Sequence, residues 1–349
     1  MERHPIPSNA PATEPQIRLS PKPFRKSRHF GAFLICCALF VAGFAITALW
    51  QNRDGSFLGK EEGTTLSAED TNPPSVSPPS NPPFSEEIVI PDGATPVVSY
   101  DLSYTQKGID YLNNETFYKP NINTLLTTEV ASKPTDEPLV LVLHTHTSEG
   151  YLLESSSYLQ GDVGALTYTQ DEERNVLAIG KAFIASLNKN GITAIHCTVM
   201  HDASGLAGSY ERAAESIQFF LTHYPSIRYV VDLHRDAILT PEGEYVRAVT
   251  EIGGKSVAQI LPVVGSNAGG WTHDAWEGNL ALALLLRREL NKNDAALCRP
   301  VMLRNHTYNQ ELAPFAILLE IGTGANSIGE AIAAATLAGE AFAKVILSH

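Results

Sequence analysis

Two histidines and two acids in this sequence stand where metal-assisted hydrolysis could use them. His146-x-x-Glu149 pairs an imidazole with a carboxylate just beyond the apolar run Pro138–Leu143. At that separation both side chains can turn toward one ion. His234, just beyond the apolar run Ile227–Leu233, offers a third ligand. Two histidines and a carboxylate, with a fourth position open to water, are a usual catalytic zinc set. Zinc so held polarises a carbonyl and lowers the pKa of a water toward ~7. A further carboxylate must then carry the water proton to the leaving nitrogen. Glu320, inside the run FAILLEI, is the candidate, because an ionisable group there is costly to bury without a task or a partner. Each feature alone has a plainer explanation. An HxxE is ordinarily a solvated loop, a histidine after a strand is ordinarily a hydrogen-bonded core residue, and Glu320 could pair with Arg235. Their coincidence at the ends of three expected parallel strands points to a metal.

The neighbouring residues admit more than one role. His144 and His146 fall on opposite faces if the strand continues. His146 is favoured as the ligand because it makes a compact unit with Glu149, which leaves His144 to orient a ligand or face the substrate. Asp236 could accept a hydrogen bond from a ligand histidine, and Arg235 could hold a substrate carboxylate. A surface ion pair is the plain alternative for both. His201-Asp202 lines the cleft or forms a turn. Asn267, Trp271, His273 and Trp276, in SNAGGWTHDAWEGN, read as a loop entering a helix, where an exposed aromatic either stacks on a sugar or packs. Ser148 has no base and orienting group to make a serine triad. GTGAN at 322–326 lacks the lysine of a phosphate loop.

These residues need a frame to bring them together, and the hydrophobic pattern supplies one. Apolar runs at Pro138–Leu143, Ile192–Val199, Ile227–Leu233 and Phe315–Ile321 read as buried strands. Tyr245–Ile252 and Val257–Val264 read as a pair of extended segments. Helical spacing covers Asn175–Lys189, Tyr210–Tyr224, Asn279–Leu290 and Gly329–Leu347, with Gly191 and Pro225 as stop signals. Strands alternating with helices predict an α/β fold with a mostly parallel sheet flanked by helices. Sites in such sheets gather outside the carboxyl ends of the strands.

Composition fixes the setting. The chain has 349 residues, 44% hydrophobic and 18% charged, with net charge −13. That excludes collagen-like, wholly disordered and disulfide-scaffold proteins. It also argues against nucleic acid as a partner, since phosphate neutralisation needs a basic face. Residues 1–29 run the other way, with six bases against two acids, and read as a cytoplasmic tail. Residues 30–50 (FGAFLICCALFVAGFAITALW) carry no charge and are long enough to cross a bilayer as a helix. Basic residues before the span place the rest of the chain on the extracytoplasmic side. A cleaved signal peptide and a buried core helix are the alternatives, and the basic preface, span length and Trp50 favour an uncleaved anchor. Residues 51–95 are rich in Pro, Ser and Thr and read as a disordered linker. Residues 96–349 form the catalytic domain. Of the four cysteines, Cys197 and Cys298 lie outside the span and read as buried thiols.

At the residues named above, the sequence resembles the stage II sporulation protein P family. LVLHTHTSEGY (141–151), NVLAIGKAF, HDASGLAGSYERA, VVDLHRDA, NLALALLLRREL and YNQELAPFAILLEIGTGANSIGEA carry the likeness. The resemblance implies a membrane-anchored peptidoglycan hydrolase, similar in fold to zinc N-acetylmuramoyl-L-alanine amidases. It implies cleavage of the amide joining glycan to stem peptide, with endopeptidase action on cross-links, during spore engulfment. It implies sporulation proteins D and M as partners and the intermembrane space of the sporangium as location. Carried over by motif, His146 and His234 are zinc ligands and Glu320 is the catalytic carboxylate. Glu149 as third ligand rests on its HxxE spacing, and the related amidases make Glu172 or Glu173 the alternative. A zinc carboxypeptidase and a non-catalytic wall-binding scaffold remain as rival readings.

Overall fold

The buried runs do become parallel strands. The computed structural model describes residues 89–103, 111–292 and 296–348. The expected basic tail, transmembrane helix and linker up to residue 88 lie outside the described residues. The strands are β1 (Thr95–Tyr100), β2 (Leu112–Asn114), β3 (Val140–Leu143), β4 (Tyr158–Leu159), β5 (Ala194–His196), β6 (Tyr229–Asp236), β7 (Tyr245–Ile252), β8 (Lys255–Ala258), β9 (Ile260–Val264), β10 (Val301–Leu303) and β11 (Phe315–Thr323). The helices are α1 (Ile122–Leu125), α2 (Val163–Thr167), α3 (Val176–Lys189), α4 (Ser209–His223), α5 (Trp276–Leu290) and α6 (Ile328–Ser348).

Seven strands form the main sheet in the order β2-β10-β9-β11-β6-β3-β5. Within it β9 and β11 run antiparallel, and every other pairing is parallel. Helices cover both faces, and the alternation along the strands decides which residues meet them. Val140, Val142, Tyr229, Val231, Leu233, Ile317 and Leu319 share a core with α3, α5 and α6. Leu141, Leu143, Val230 and Ala316 point the other way, toward α4. Helix α3 starts where the Asn175 side chain accepts a hydrogen bond from the Leu177 N–H at 2.9 Å. It packs closely on α6, because a Cβ at Gly339 would stand 2.5 Å from the Phe183 carbonyl oxygen.

Two features depart from the sequence reading. Val257–Val264 is not one extended segment but two strands, broken at the fully buried Gln259. The Gln259 side chain accepts from Leu102 N–H and donates to Asp101, and the chain changes sheets there. β8 joins a second sheet of mixed direction, ordered β4-β1-β7-β8, which the sequence did not foretell. Helix α6 is, among the described residues, the one helix long and apolar enough to cross a membrane. Its burial against α3, α5 and the main sheet marks it as a core helix. Cys197 and Cys298 are buried free thiols, as expected.

Candidate functional site

Sheet register brings the site residues together. His234 on β6 lies opposite Glu320 on β11, and Asp232 lies opposite Leu143, the last residue of β3. Asp232, His234 and Glu320 share the parity of Val230 and Ala316, so they project on the α4 side near the carboxyl ends of the strands. The β6–β11 register slips between Glu320 and Thr323, where Gly322 takes a φ of +66°. A bulge here ends regular pairing immediately after Glu320.

The third strand delivers a tight turn. β3 stops at Leu143, and the Glu149 N–H returns to the His146 carbonyl at 3.1 Å. The Asp202 carboxylate accepts the Ser148 N–H at 3.0 Å and also its hydroxyl. His201-Asp202 therefore braces the turn, with His201 buried between the His144 carbonyl and Ser216. The turn sets His146 beside His234, edge to face, with ring centroids 5.3 Å apart. Glu149 Oε2 lies 3.3 Å from His234 Nδ1 and accepts the Arg235 N–H at 3.1 Å.

His234 is thus held between two acids. Its Nε2 lies 3.0 Å from Asp232 Oδ1, off the line of a well-formed hydrogen bond. Burial opposes charge on His234, but Asp232 and Glu149 outweigh it and raise its pKa well above the usual value. Asp232 is buried, yet His234 and the Thr145 hydroxyl and N–H hold its carboxyl down at about 2. Glu149 is likewise held low, since the His234 charge overrides burial. Burial lowers His146, whose Nδ1 sits 3.2 Å from the Ser209 hydroxyl. Glu320 is the opposite case. Burial, and then the Asp236 charge, push it up to about 8, and its Oε2 has no hydrogen-bond partner.

No group of three His, Cys, Asp or Glu side chains among the described residues converges as a ready-made metal site. The donor chemistry nonetheless fits a zinc ion. Glu149 reaches one nitrogen of His234, the His146 ring stands edge to face with the same histidine, and a buried acid sits behind the second nitrogen of His234, as partners of metal-bound histidines do. The alternative carboxylates are elsewhere: Glu172 is exposed, and Glu173 pairs with Lys181 on the surface at 2.8 Å.

The other candidates are placed differently from their sequence-based roles. His144 is fully buried, bonded to the Leu233 carbonyl and to His196 Nε2, each at 2.9 Å, so it does not face substrate. Arg235 points away from His234 along the strand. Its guanidinium donates to the Thr167 carbonyl at 2.7 Å and lies over the Tyr168 ring, holding that segment rather than a free carboxylate. Asp236 pairs with Arg299 at 2.7 Å and meets no histidine. Asp232 occupies the place expected of it. Asp232 was legible in principle: in VVDLHRD it stands two residues before His234, hence on the same strand face. Trp276 stacks on Tyr118, Asn267 accepts the Tyr118 hydroxyl, and His273 is buried, which leaves Trp271 as the exposed one of these four.

The model of the Stage II sporulation protein P (SpoIIP) family matches residues 92–345. The chain belongs to that family. Stage II sporulation protein P of Bacillus subtilis strain 168 is 27% identical over 221 residues, covering 60% of this chain and 51% of that protein. The chain therefore spans about half the length of this curated SpoIIP relative. Among solved structures, the N-acetylmuramoyl-L-alanine amidase AmiC2 of Nostoc punctiforme is 19% identical and matches with a TM-score of 0.34, over 60% of this chain and 95% of that one. An N-acetylmuramoyl-L-alanine amidase from Clostridium difficile 630 is 16% identical, with a TM-score of 0.35, over 61% and 97%.

Proposed function

We propose that this SpoIIP-family chain is a zinc-dependent peptidoglycan hydrolase. It cleaves the N-acetylmuramoyl-L-alanine amide and, secondarily, stem-peptide cross-links, during spore engulfment. The observation that carries the proposal is the register setting Glu320 opposite His234, with Glu149 and His146 brought to the same histidine by the turn after β3. In this reading residues 30–50 hold the chain in a membrane, residues 96–349 work on the extracytoplasmic side, and sporulation proteins D and M are its partners.

His146, Glu149 and His234 would hold the zinc. When bound, zinc supplies a Lewis acid that polarises the amide carbonyl and acidifies a water. Asp232 stands 3.0 Å from Nε2 of the His234 ring, whose Nδ1 lies on the Glu149 side. Ser209 meets Nδ1 of His146, leaving Nε2 as the free donor. Glu320 takes the proton of the attacking water and returns it to the departing nitrogen. Its largely buried setting, in which ionisation is disfavoured, suits a carboxyl that must carry a proton for part of the cycle.

The test is digestion of purified peptidoglycan by the full chain, before and after zinc removal by a chelator. Expected products are intact stem peptides with new amino termini, formed only with zinc restored. Digestion that survives complete zinc removal sinks the mechanism. Release of single amino acids instead would make the chain a carboxypeptidase.

A further inference from the structure

We propose that Trp271, His306, Tyr308 and Tyr210 form an aromatic track that binds the sugar rings of a glycan strand and leads it to His146. The inference deepens the proposed function and rests on it, since the glycan belongs to the same polymer. The rings follow one another without a gap. Centroids of Trp271 and His306 are 5.1 Å apart, His306 and Tyr308 6.1 Å, Tyr308 and Tyr210 6.1 Å, and Tyr210 and His146 5.5 Å. Exposure falls inward along the row. Trp271 is 51% exposed and His306 is exposed, while Tyr308, Tyr210 and His146 are half-buried.

The backbone beneath the row is shaped to hold it. Tyr308 and Asn309 both take left-handed conformations, with φ of 54° and 59°. For a bulky residue such as Tyr that is a strained state, which persists only when surrounding contacts enforce it. Those contacts are present. Asn309 donates to the Tyr210 carbonyl at 2.8 Å, and the Gln310 amide bridges the Gly265 N–H and the Val263 carbonyl at 2.9 and 3.0 Å. The loop before α5 closes on this segment through two glycines. A Cβ at Gly265 would lie 2.2 Å from the His306 carbonyl oxygen, and one at Gly269 would lie 2.1 Å from the Trp271 ring. The missing side chain at 269 lets the indole fold back beside His306.

The chemistry selects a saccharide. Aromatic faces are electron-rich and attract the C–H faces of a sugar ring, while the indole, imidazole and phenol rims offer hydrogen bonds to its hydroxyls. Steps of 5–6 Å repeat on the scale of one pyranose ring. A chain of net charge −13 gains little from ion pairing with an anionic wall, and stacking on a neutral sugar avoids that repulsion.

The test titrates the full chain with N-acetylchitotetraose, which carries no stem peptide, and follows the heat of binding by calorimetry. Expected is a saturable change whose affinity W271A weakens about tenfold and W271F largely restores, with unfolding temperatures matching wild type. KM for soluble wall fragments should rise in W271A. A titration without saturation, one that W271A leaves unaltered, or a response to sugar-free stem peptide in place of the sugar overturns the track. Wall digestion by wild type is measured alongside. Digestion without sugar binding removes the track and keeps the hydrolase, and sugar binding without digestion removes the hydrolase.

Discussion

Glu320 must hold a proton in one half of the proposed reaction and release it in the other, and its surroundings oppose permanent charge. Glu320→Gln keeps the shape and removes the proton transfer. Turnover of wall substrate should fall about 10²–10⁴-fold, measured by release of new amino termini, while zinc binding stays intact. A fall in zinc binding of the same size would make Glu320 a ligand instead. Asp232 acts one step removed, through His234. Asp232→Asn should weaken zinc affinity about 10–100-fold, read by competition with a chromogenic chelator, with the ligands themselves untouched. Zinc affinity equal to wild type would leave Asp232 a purely structural partner of Thr145. At this scale the sequence was half legible. His146, Glu149 and His234 stood out because each lies just beyond an apolar run, and Glu320 because it lies inside one. Asp232 did not, since an acid inside a strand looks costly until its Thr145 and His234 partners are seen. Arg235 looked like a substrate group and Asp236 like the partner of a ligand histidine, but Thr167 and Tyr168 hold the first and Arg299 the second, all distant in the chain.

Elements position these groups through their ends. β11 aims Glu320 and then breaks register at Gly322, whose φ of +66° favours glycine. A Cβ there would also stand 2.8 Å from Asn326 Oδ1 and 2.9 Å from the Ala258 Cβ. Gly322→Ala should therefore cost about 1–3 kcal/mol, seen as a lower denaturant midpoint, and should impair wall digestion beyond the loss of folded protein. The start of α6 is tied by an acid of a different kind. Glu330 is buried and accepts from Arg247 on β7, Ser256 on β8, Asn326 and the Ser327 N–H. Burial alone would raise its pKa, but those donors hold it at about 2. With the folded value below the ordinary 4.5, its stabilisation is present above pH 4.5 and fades as pH falls toward 2. Glu330→Gln should lose about 1–2 kcal/mol at pH 7, solvent screening considered, and the gap to wild type should close in acid. A gap unchanged from pH 7 down to about 2 would show that charge contributes nothing there. The long apolar strands and periodic helices were readable because burial on both faces needs such runs. The β8–β9 break was not, because Gln259 interrupts the run for partners just past β1 and at Ala296.

At the scale of the molecule, the site exists only when the sheet does. β3, β6 and β11 start at residues 140, 229 and 315, so His146, Glu149, His234 and Glu320 meet through contacts far apart in sequence. An unfolded chain cannot present them together, and an ion that binds them binds the folded state. Zinc should then act as a stabiliser by mass action, worth about 2.7 kcal/mol at a hundredfold excess over Kd. For a domain of this size that corresponds to a rise in Tm of about 5–10 °C. The measurement is thermal unfolding of the full chain, stripped with chelator and then titrated with zinc. His234→Ala and Glu149→Gln should each abolish most of the rise, and Glu320→Gln should keep it. The variant at 149 is the sharpest of the three, because Glu172 and Glu173 are the carboxylates that could replace it as ligand. If Glu149→Gln rises as far as wild type while Glu173→Gln does not, the turn after β3 is not the third ligand's home. The surface pairing of Glu173 with Lys181 argues for the first outcome, since that carboxylate is already engaged in solvent while Glu149 Oε2 lies 3.3 Å from the histidine that the ion would share.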